Sequence, residues 1–195
     1  MDASPMPENE TEQSSGWGPL STLPGNPLMW VLIWSELLVF GAALGGFAVA
    51  RLLDPVTFDE SQAHLDRFLG AVNTMVLLTS GYLAAMSVRA RADGEIQGSR
   101  RWMMGAMVIG SVFLVIKIIE YSAKLDAGLD IETNTFFTLY YLITGFHFMH
   151  VIFGLVILAI VTWKNSLENL ETGAAFWHMV DLVWVLIFPL IYLVR

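Results

Sequence analysis

The chain has 195 residues, 55% of them hydrophobic and only 14% charged, with a formal charge of -8 and no cysteine. That balance lies well outside the mix of a soluble domain. The missing cysteine excludes disulfides, thiolate-held zinc or iron–sulfur sites, dinuclear copper centres with bridging cysteines, and haem attached through CxxCH.

Residues 1–27 are polar and rich in Ser, Pro, Gln and Glu, and they read as a disordered tail. Asp2, Glu8, Glu10 and Glu12 in that tail supply half of the negative excess, so the acidity does not point to a basic partner. The tail also lacks the positive start and short apolar core of a cleaved signal peptide.

Residues 28–195 form one membrane domain. Five apolar runs, approximately 28–50, 68–88, 102–121, 135–163 and 173–194, are each long enough to cross a hydrocarbon core about 30 Å thick, which takes roughly 20 helical residues. Lipid offers no partner to backbone N–H and C=O groups, so each run is helical, and the alternating segments of a membrane barrel are absent. The fourth run is long enough to tilt or to extend beyond the membrane. Short connections make consecutive helices antiparallel neighbours in a single all-α bundle of five transmembrane helices. The connection 89–101 carries Arg89, Arg91, Arg100 and Arg101, whereas the loops after the first and third helices are mostly acidic. The positive-inside tendency then puts the N-terminus in the cytoplasm and the C-terminus outside.

Ionisable groups within such helices are costly in lipid and should face the bundle interior or a partner. On the first helix, Glu36 lies roughly 12 Å deep at about 1.5 Å per residue. It reads as a packing or lipid-linked carboxyl ahead of a proton-transfer group. Gly41-Ala42-Ala43-Leu44-Gly45 follows, a small-xxx-small stretch at which Gly41 and Gly45 would let another helix pack closely. On the third helix, Lys117, Glu120 and Lys124 share a face at three- and four-residue spacing and form an ion-pair ladder. Charge neutralisation near a membrane surface, with Lys117 snorkelling outward, is the favoured reading. The fourth helix places His147 and His150 on nearly one face, and the fifth places His178 and Asp181 at the same spacing. With Glu36 these fall in the cytoplasmic half or near the middle, where they can meet as a polar network, a metal site or a proton path.

Counting argues against the metal readings. A haem-copper catalytic subunit uses about six intramembrane histidines, and this chain has four in all, with His64 in a loop. The lone HxxH pattern of His147 and His150 is weak for a di-iron site. A single b-type haem between two helices needs only two facing imidazoles and stays open as a minor alternative. Nucleotide-binding glycine loops, nucleophile elbows and Walker motifs are absent.

Taken together, several stretches resemble subunit III of cytochrome c and quinol oxidases, the non-haem subunit of the haem-copper oxidase superfamily. They are Trp34-Ser35-Glu36, Asn73 through Gly81, Glu120-Tyr121, Gly145-Phe146-His147 with His150-Val151 and Gly154, and Trp177-His178-Met179-Val180-Asp181-Leu182-Val183-Trp184. They occur in the family's order and cover nearly everything after Pro27. The last stretch is the most specific, and Glu36 matches the family's buried helix carboxylate. The chain resembles the five-helix form that lacks the first two helices of larger members. Lys117 stands where the common oxidase pattern has glutamine, and Phe148 where it has glycine. Both departures look more like the NorE-type accessory protein encoded with bacterial nitric oxide reductases.

The resemblance implies a non-catalytic accessory subunit of a bacterial cytoplasmic-membrane respiratory complex. It would have no cofactor or metal of its own beyond bound phospholipid, and would pack against a many-helix catalytic subunit that carries haem and metal. That subunit reduces nitric oxide or, as the alternative, oxygen. The family's third subunits hold lipid in a cleft and support proton uptake or durability. Readings of another class are a small proton-conducting or transport protein that uses the Glu/His/Asp cluster, against which only Pro189 breaks a helix, and a standalone haem-binding cytochrome.

Overall fold

The computed structural model describes residues 27–194. The expected disordered tail therefore lies outside the described residues, apart from Pro27, which opens the first helix. Six helices follow: α1 Pro27–Leu53, α2 Pro55–Gln62, α3 Arg67–Ala92, α4 Ile96–Asp126, α5 Thr135–Lys164 and α6 Leu167–Phe188, the last continuing as a π turn over Pro189–Leu193. Among the described residues there is no strand, and five helices are long and apolar enough to cross a membrane. The protein is an all-α, multi-pass membrane bundle.

The helices outrun the apolar stretches that announce them. α4 starts at Ile96 instead of near 102, and α6 at Leu167 instead of near 173. Hydropathy marks only the part of a helix in hydrocarbon, whereas capping side chains fix the starts of α3, α5 and α6, though not of α4, whose Glu95 makes no capping bond. Asp66, Asn134 and Ser166 each accept the backbone N–H three residues on, at Leu69 (3.0 Å), Phe137 (3.0 Å) and Asn169 (3.3 Å). The arginine-bearing connection shrinks to Asp93-Gly94-Glu95, turned by Gly94 at φ +85°. Arg89 and Arg91 belong to the last turn of α3, and Arg100 and Arg101 to α4.

Helix α2 was not foreseen, being too short and polar to register as a span. Its start is nonetheless written locally, with Asp54 accepting the Thr57 N–H at 3.3 Å and Pro55 in the first turn. It closes the end of the bundle away from the arginines. Phe58 packs at 5.2 Å from Phe47 and 5.4 Å from Phe136, ring centre to ring centre. The buried Gln62 amide donates to the carbonyls of Ile191 (2.8 Å) and Val194 (2.9 Å), and Arg51 bonds the Val194 carbonyl while pairing with Asp59 at 2.9 Å. These donors satisfy carbonyls that the π turn leaves over.

Helix α6 is the hub, packed against α1, α3 and α5. α3 and α4 run together as an antiparallel pair, clasped by Ser80 on the Ala106 carbonyl (2.7 Å) and Ser87 on the Ser99 carbonyl (2.8 Å). At the centre, the fully buried Trp177 ring lies against Gly110 of α4 and Gly154 of α5, where an added Cβ would stand 2.7 Å from the indole in each case. Its N–H donates to Ser80 Oγ at 3.1 Å.

One expectation about α1 is overturned, and a second is not met within this chain. It is not a close neighbour of the next spanning helix but rests on α5 and α6, with at most marginal contact to α3. Gly41 and Gly45 do not pack a helix of this chain: both are exposed, and nothing lies within 4 Å of a Cβ built on either. The close approaches use Gly110 and Gly154, because the bulky Trp177 has to be accommodated where three helices converge.

Candidate functional site

The polar residues of the membrane domain form separate groups at different depths. Toward the end sealed by α2, Glu120 of α4 accepts four hydrogen bonds. Oε1 takes them from Lys124 Nζ (2.8 Å), Tyr140 OH (2.9 Å) and Tyr192 OH (2.8 Å), and Oε2 from Lys117 Nζ (3.0 Å). Lys117 also donates to Tyr192 OH (3.0 Å) and Tyr140 OH (3.3 Å). Its ammonium lies 4.9 Å from the Tyr121 ring centre and 5.3 Å from that of Trp184, within cation–π range. Lys117 is therefore not a snorkelling surface charge. It has no exposed surface, and its chain turns inward because a carboxylate, two phenols and two further rings await it there. Lys124, 5% exposed, is drawn in by the same carboxylate. The sequence marked Tyr140 only as part of the Tyr140–Gly145 stretch that resembles the NorE-type branch, and it did not mark Tyr192; neither was linked to Glu120, because nothing in helical spacing within α4 indicates which residues of α5 and the π turn stand opposite.

Glu36 and His150 meet across α1 and α5, with Oε2 to Nε2 at 3.0 Å. The rings of Phe146 and Phe40 cover the imidazole at 4.5 and 5.2 Å. His147, one turn away, belongs to neither pair. It is fully buried among Phe113 (5.5 Å), Trp184 (5.2 Å) and Phe40 (6.2 Å), and its two nitrogens have no hydrogen-bond partner among the described residues.

His178 and Asp181 face each other along α6 at 3.8 Å, His178 half-exposed and Asp181 buried. The Asp181 carboxyl lies so close to Gly81 of α3 that a Cβ there would collide with Oδ2. His178 also borders a groove of about 610 Å³ between α1, α3 and α6. Trp30, Ile33 and Leu37 line it on one side, Ala85 and Val88 on another, and Ala174, Met179 and Leu182 form its floor, with Glu171 as a second titratable group. The groove exists because α1 and α3 do not close on each other. The five residues read as one possible cluster thus separate into Glu36–His150, His178–Asp181 and an isolated His147. Among the described residues, no three His, Cys, Asp or Glu side chains form a group able to hold a metal ion.

These features define a class: a multi-pass helical membrane protein whose buried polar side chains bond one another across helices. The comparisons with known proteins carry the assignment further. The family model for cytochrome c oxidase subunit III matches residues 28–194. Cytochrome c oxidase subunit 3 of Thermostichus vulcanus is 28% identical over 172 residues, covering 84% of each chain. The probable cytochrome c oxidase subunit 3 of Nocardia farcinica is 29% identical over 174 residues, covering 84% of this chain and 86% of the relative. Cytochrome c oxidase subunit 3 of Synechocystis is 29% identical over 168 residues, covering 82% of this chain and 71% of the relative. The chain belongs to the cytochrome c oxidase subunit III family.

Proposed function

We propose that this chain is a non-catalytic subunit of a haem-copper respiratory complex in a bacterial cytoplasmic membrane, packed against the many-helix subunit that carries haem and metal. The observation that supports this best is the family match, which runs through the whole described bundle from residue 28 to 194. The bundle's chemistry agrees with such a role: Lys117, Glu120, Lys124, Tyr140 and Tyr192 are engaged with one another. The apolar groove between α1, α3 and α6 suits a phospholipid acyl chain, with the arginine-bearing end of α3 and α4 at the cytoplasmic face.

Two partners fit. The named relatives are oxidase subunits, which supports an oxygen-reducing cytochrome c or quinol oxidase. Lys117 and Phe148, which replace the oxidase pattern's glutamine and glycine, support the nitric oxide reductase branch. Gentle extraction of the tagged chain from its native membrane, with mass spectrometry and an optical spectrum of what accompanies it, tests the role and separates the partners. A haem-bearing many-helix subunit is expected, and its identity decides between oxygen and nitric oxide. A colourless chain without such a subunit across several mild detergents would remove the reading.

A further inference from the structure

We propose that the cavity beside Lys124, at the end of the bundle sealed by α2, binds an oxyanion of the phosphate class, supplied by a phospholipid headgroup or by free phosphate. Donors and charges in a buried cluster have to find partners, and in this one a single residue is left over. The two oxygens of Glu120 are engaged by Lys117, Lys124, Tyr140 and Tyr192. The three hydrogens of the Lys117 ammonium are matched by Glu120 Oε2 (3.0 Å), Tyr192 OH (3.0 Å) and Tyr140 OH (3.3 Å). Lys124 differs. Its Nζ gives one hydrogen to Glu120 Oε1 at 2.8 Å and stands 5.3 Å from the Tyr140 ring centre, and its remaining hydrogen meets no acceptor among the described residues. The side chain is nonetheless almost fully enclosed, with 5% of the residue exposed.

The unbalanced charge falls on the same residue. Two ammonium groups share one carboxylate, which leaves a positive surplus in surroundings where an uncompensated ion is costly. Among the described residues, Lys124 makes no ion pair other than that with Glu120. It does border a cavity of about 250 Å³, held between the α2–α3 connection and the last turns of α4. A water molecule occupies roughly 30 Å³ of the liquid, so the space takes a phosphate group and is more than one halide ion fills. Leu69, Ile119 and Leu129 give it apolar walls, and His64 and Asp66 stand at its rim. The Asp66 carboxylate is occupied in capping α3, where it accepts the Leu69 N–H at 3.0 Å.

An oxyanion supplies both things that Lys124 is short of, an acceptor for its spare hydrogen and a negative charge against the surplus, in one charge-assisted hydrogen bond. The apolar walls leave room for the hydrocarbon stem of a lipid as readily as for a free ion. The site lies at the opposite end of the bundle from the groove between α1, α3 and α6, whose Val88 and Glu171 belong to the arginine-bearing end. It is also independent of which complex the chain joins.

The test titrates inorganic phosphate into the full chain, delipidated in a maltoside detergent, with calorimetry at constant ionic strength. Saturable binding is expected in the wild type and in Lys124→Arg, which keeps charge and donors. In Lys124→Gln it should weaken about tenfold or more, as expected when a hydrogen bond to a charged group is lost. Asp66→Asn still caps α3 but removes a like charge from the rim, so it should bind more tightly. Native mass spectrometry of the chain taken gently from its membrane separates the sources. If a headgroup supplies the phosphate, the wild type carries one phospholipid more than Lys124→Gln, and added phosphate displaces it; if free phosphate does, the two carry the same lipid. Absence of saturable binding, or equal binding in the wild type and Lys124→Gln, would overturn the proposal. So would binding seen only in Asp66→Asn, which would make Asp66 the counter-charge. Retained binding in Lys124→Arg shows that the loss in Lys124→Gln is not a loss of fold.

Discussion

Lys117 and Glu120 meet at 3.0 Å with side chains 0% and 2% exposed, an ion pair inside the bundle between residues that share one helix. Breaking such a pair from the carboxylate side strands buried ammonium groups, which costs about 3–5 kcal/mol. Glu120→Ala is therefore expected to lower the thermal unfolding midpoint of the lipid-reconstituted chain severely. Lys117→Gln keeps a donor and leaves Lys124, Tyr140 and Tyr192 on the carboxylate, so its cost should be nearer 1–2 kcal/mol. Equal losses in the two variants would contradict this account of the cluster.

The glycines divide into two sets with opposite expectations. Gly110→Ala and Gly154→Ala push a methyl to within 2.7 Å of the Trp177 ring, which is held from both sides and cannot retreat. Overpacking of that kind costs about 1–3 kcal/mol. Gly41→Ala and Gly45→Ala meet nothing within 4 Å, so in the isolated chain each should be neutral or slightly stabilising through helix propensity. Thermal unfolding of the four single variants compares them directly.

Gly81 and Asp181 make a contact between α3 and α6 that a double-mutant cycle can isolate. Gly81→Ala alone should destabilise the chain, by about 1–3 kcal/mol, because the Asp181 carboxyl is displaced from its place beside His178. Combining it with Asp181→Ala removes the collision, so the second substitution should recover most of what the first one lost. Strict additivity would show that the carboxyl moves aside freely.

At the end away from the arginines, Gln62→Leu removes the side-chain donor to the Ile191 carbonyl and one of the two to the Val194 carbonyl, which keeps Arg51. Leaving a buried carbonyl unpaired costs about 1–3 kcal/mol. The expected result is faster proteolysis or hydrogen exchange of the final turn around Pro189–Leu193, with the centre of the bundle unaffected.

Topology has a separate check. Reporter fusions placed after Gly94 should report a cytoplasmic location, and fusions after Gly128 the opposite side, in keeping with the arginines that flank Asp93-Gly94-Glu95. The reverse pattern would invert the bundle while leaving every contact within it unchanged.

The five membrane crossings were legible in the sequence because lipid imposes one rule on every residue of a span, and a run of apolar side chains suffices to read it. The Lys117–Glu120–Lys124 ladder was legible because its three residues share one helix, where spacing fixes direction. What lay across helices was not. The inward turn of Lys117 depends on Tyr140 and Tyr192, contributed by α5 and the π turn. The groove depends on α1 leaning on α5 and α6 instead of α3. The contact of Glu36 with His150 joins residues 114 positions apart in the chain. Helical periodicity says which face a side chain occupies, but only the packing of one helix on another decides what stands opposite that face. The sequence by itself thus determined that this protein lives in a membrane as a helical bundle, and the tertiary structure decided which of its buried charges, imidazoles and glycines act together.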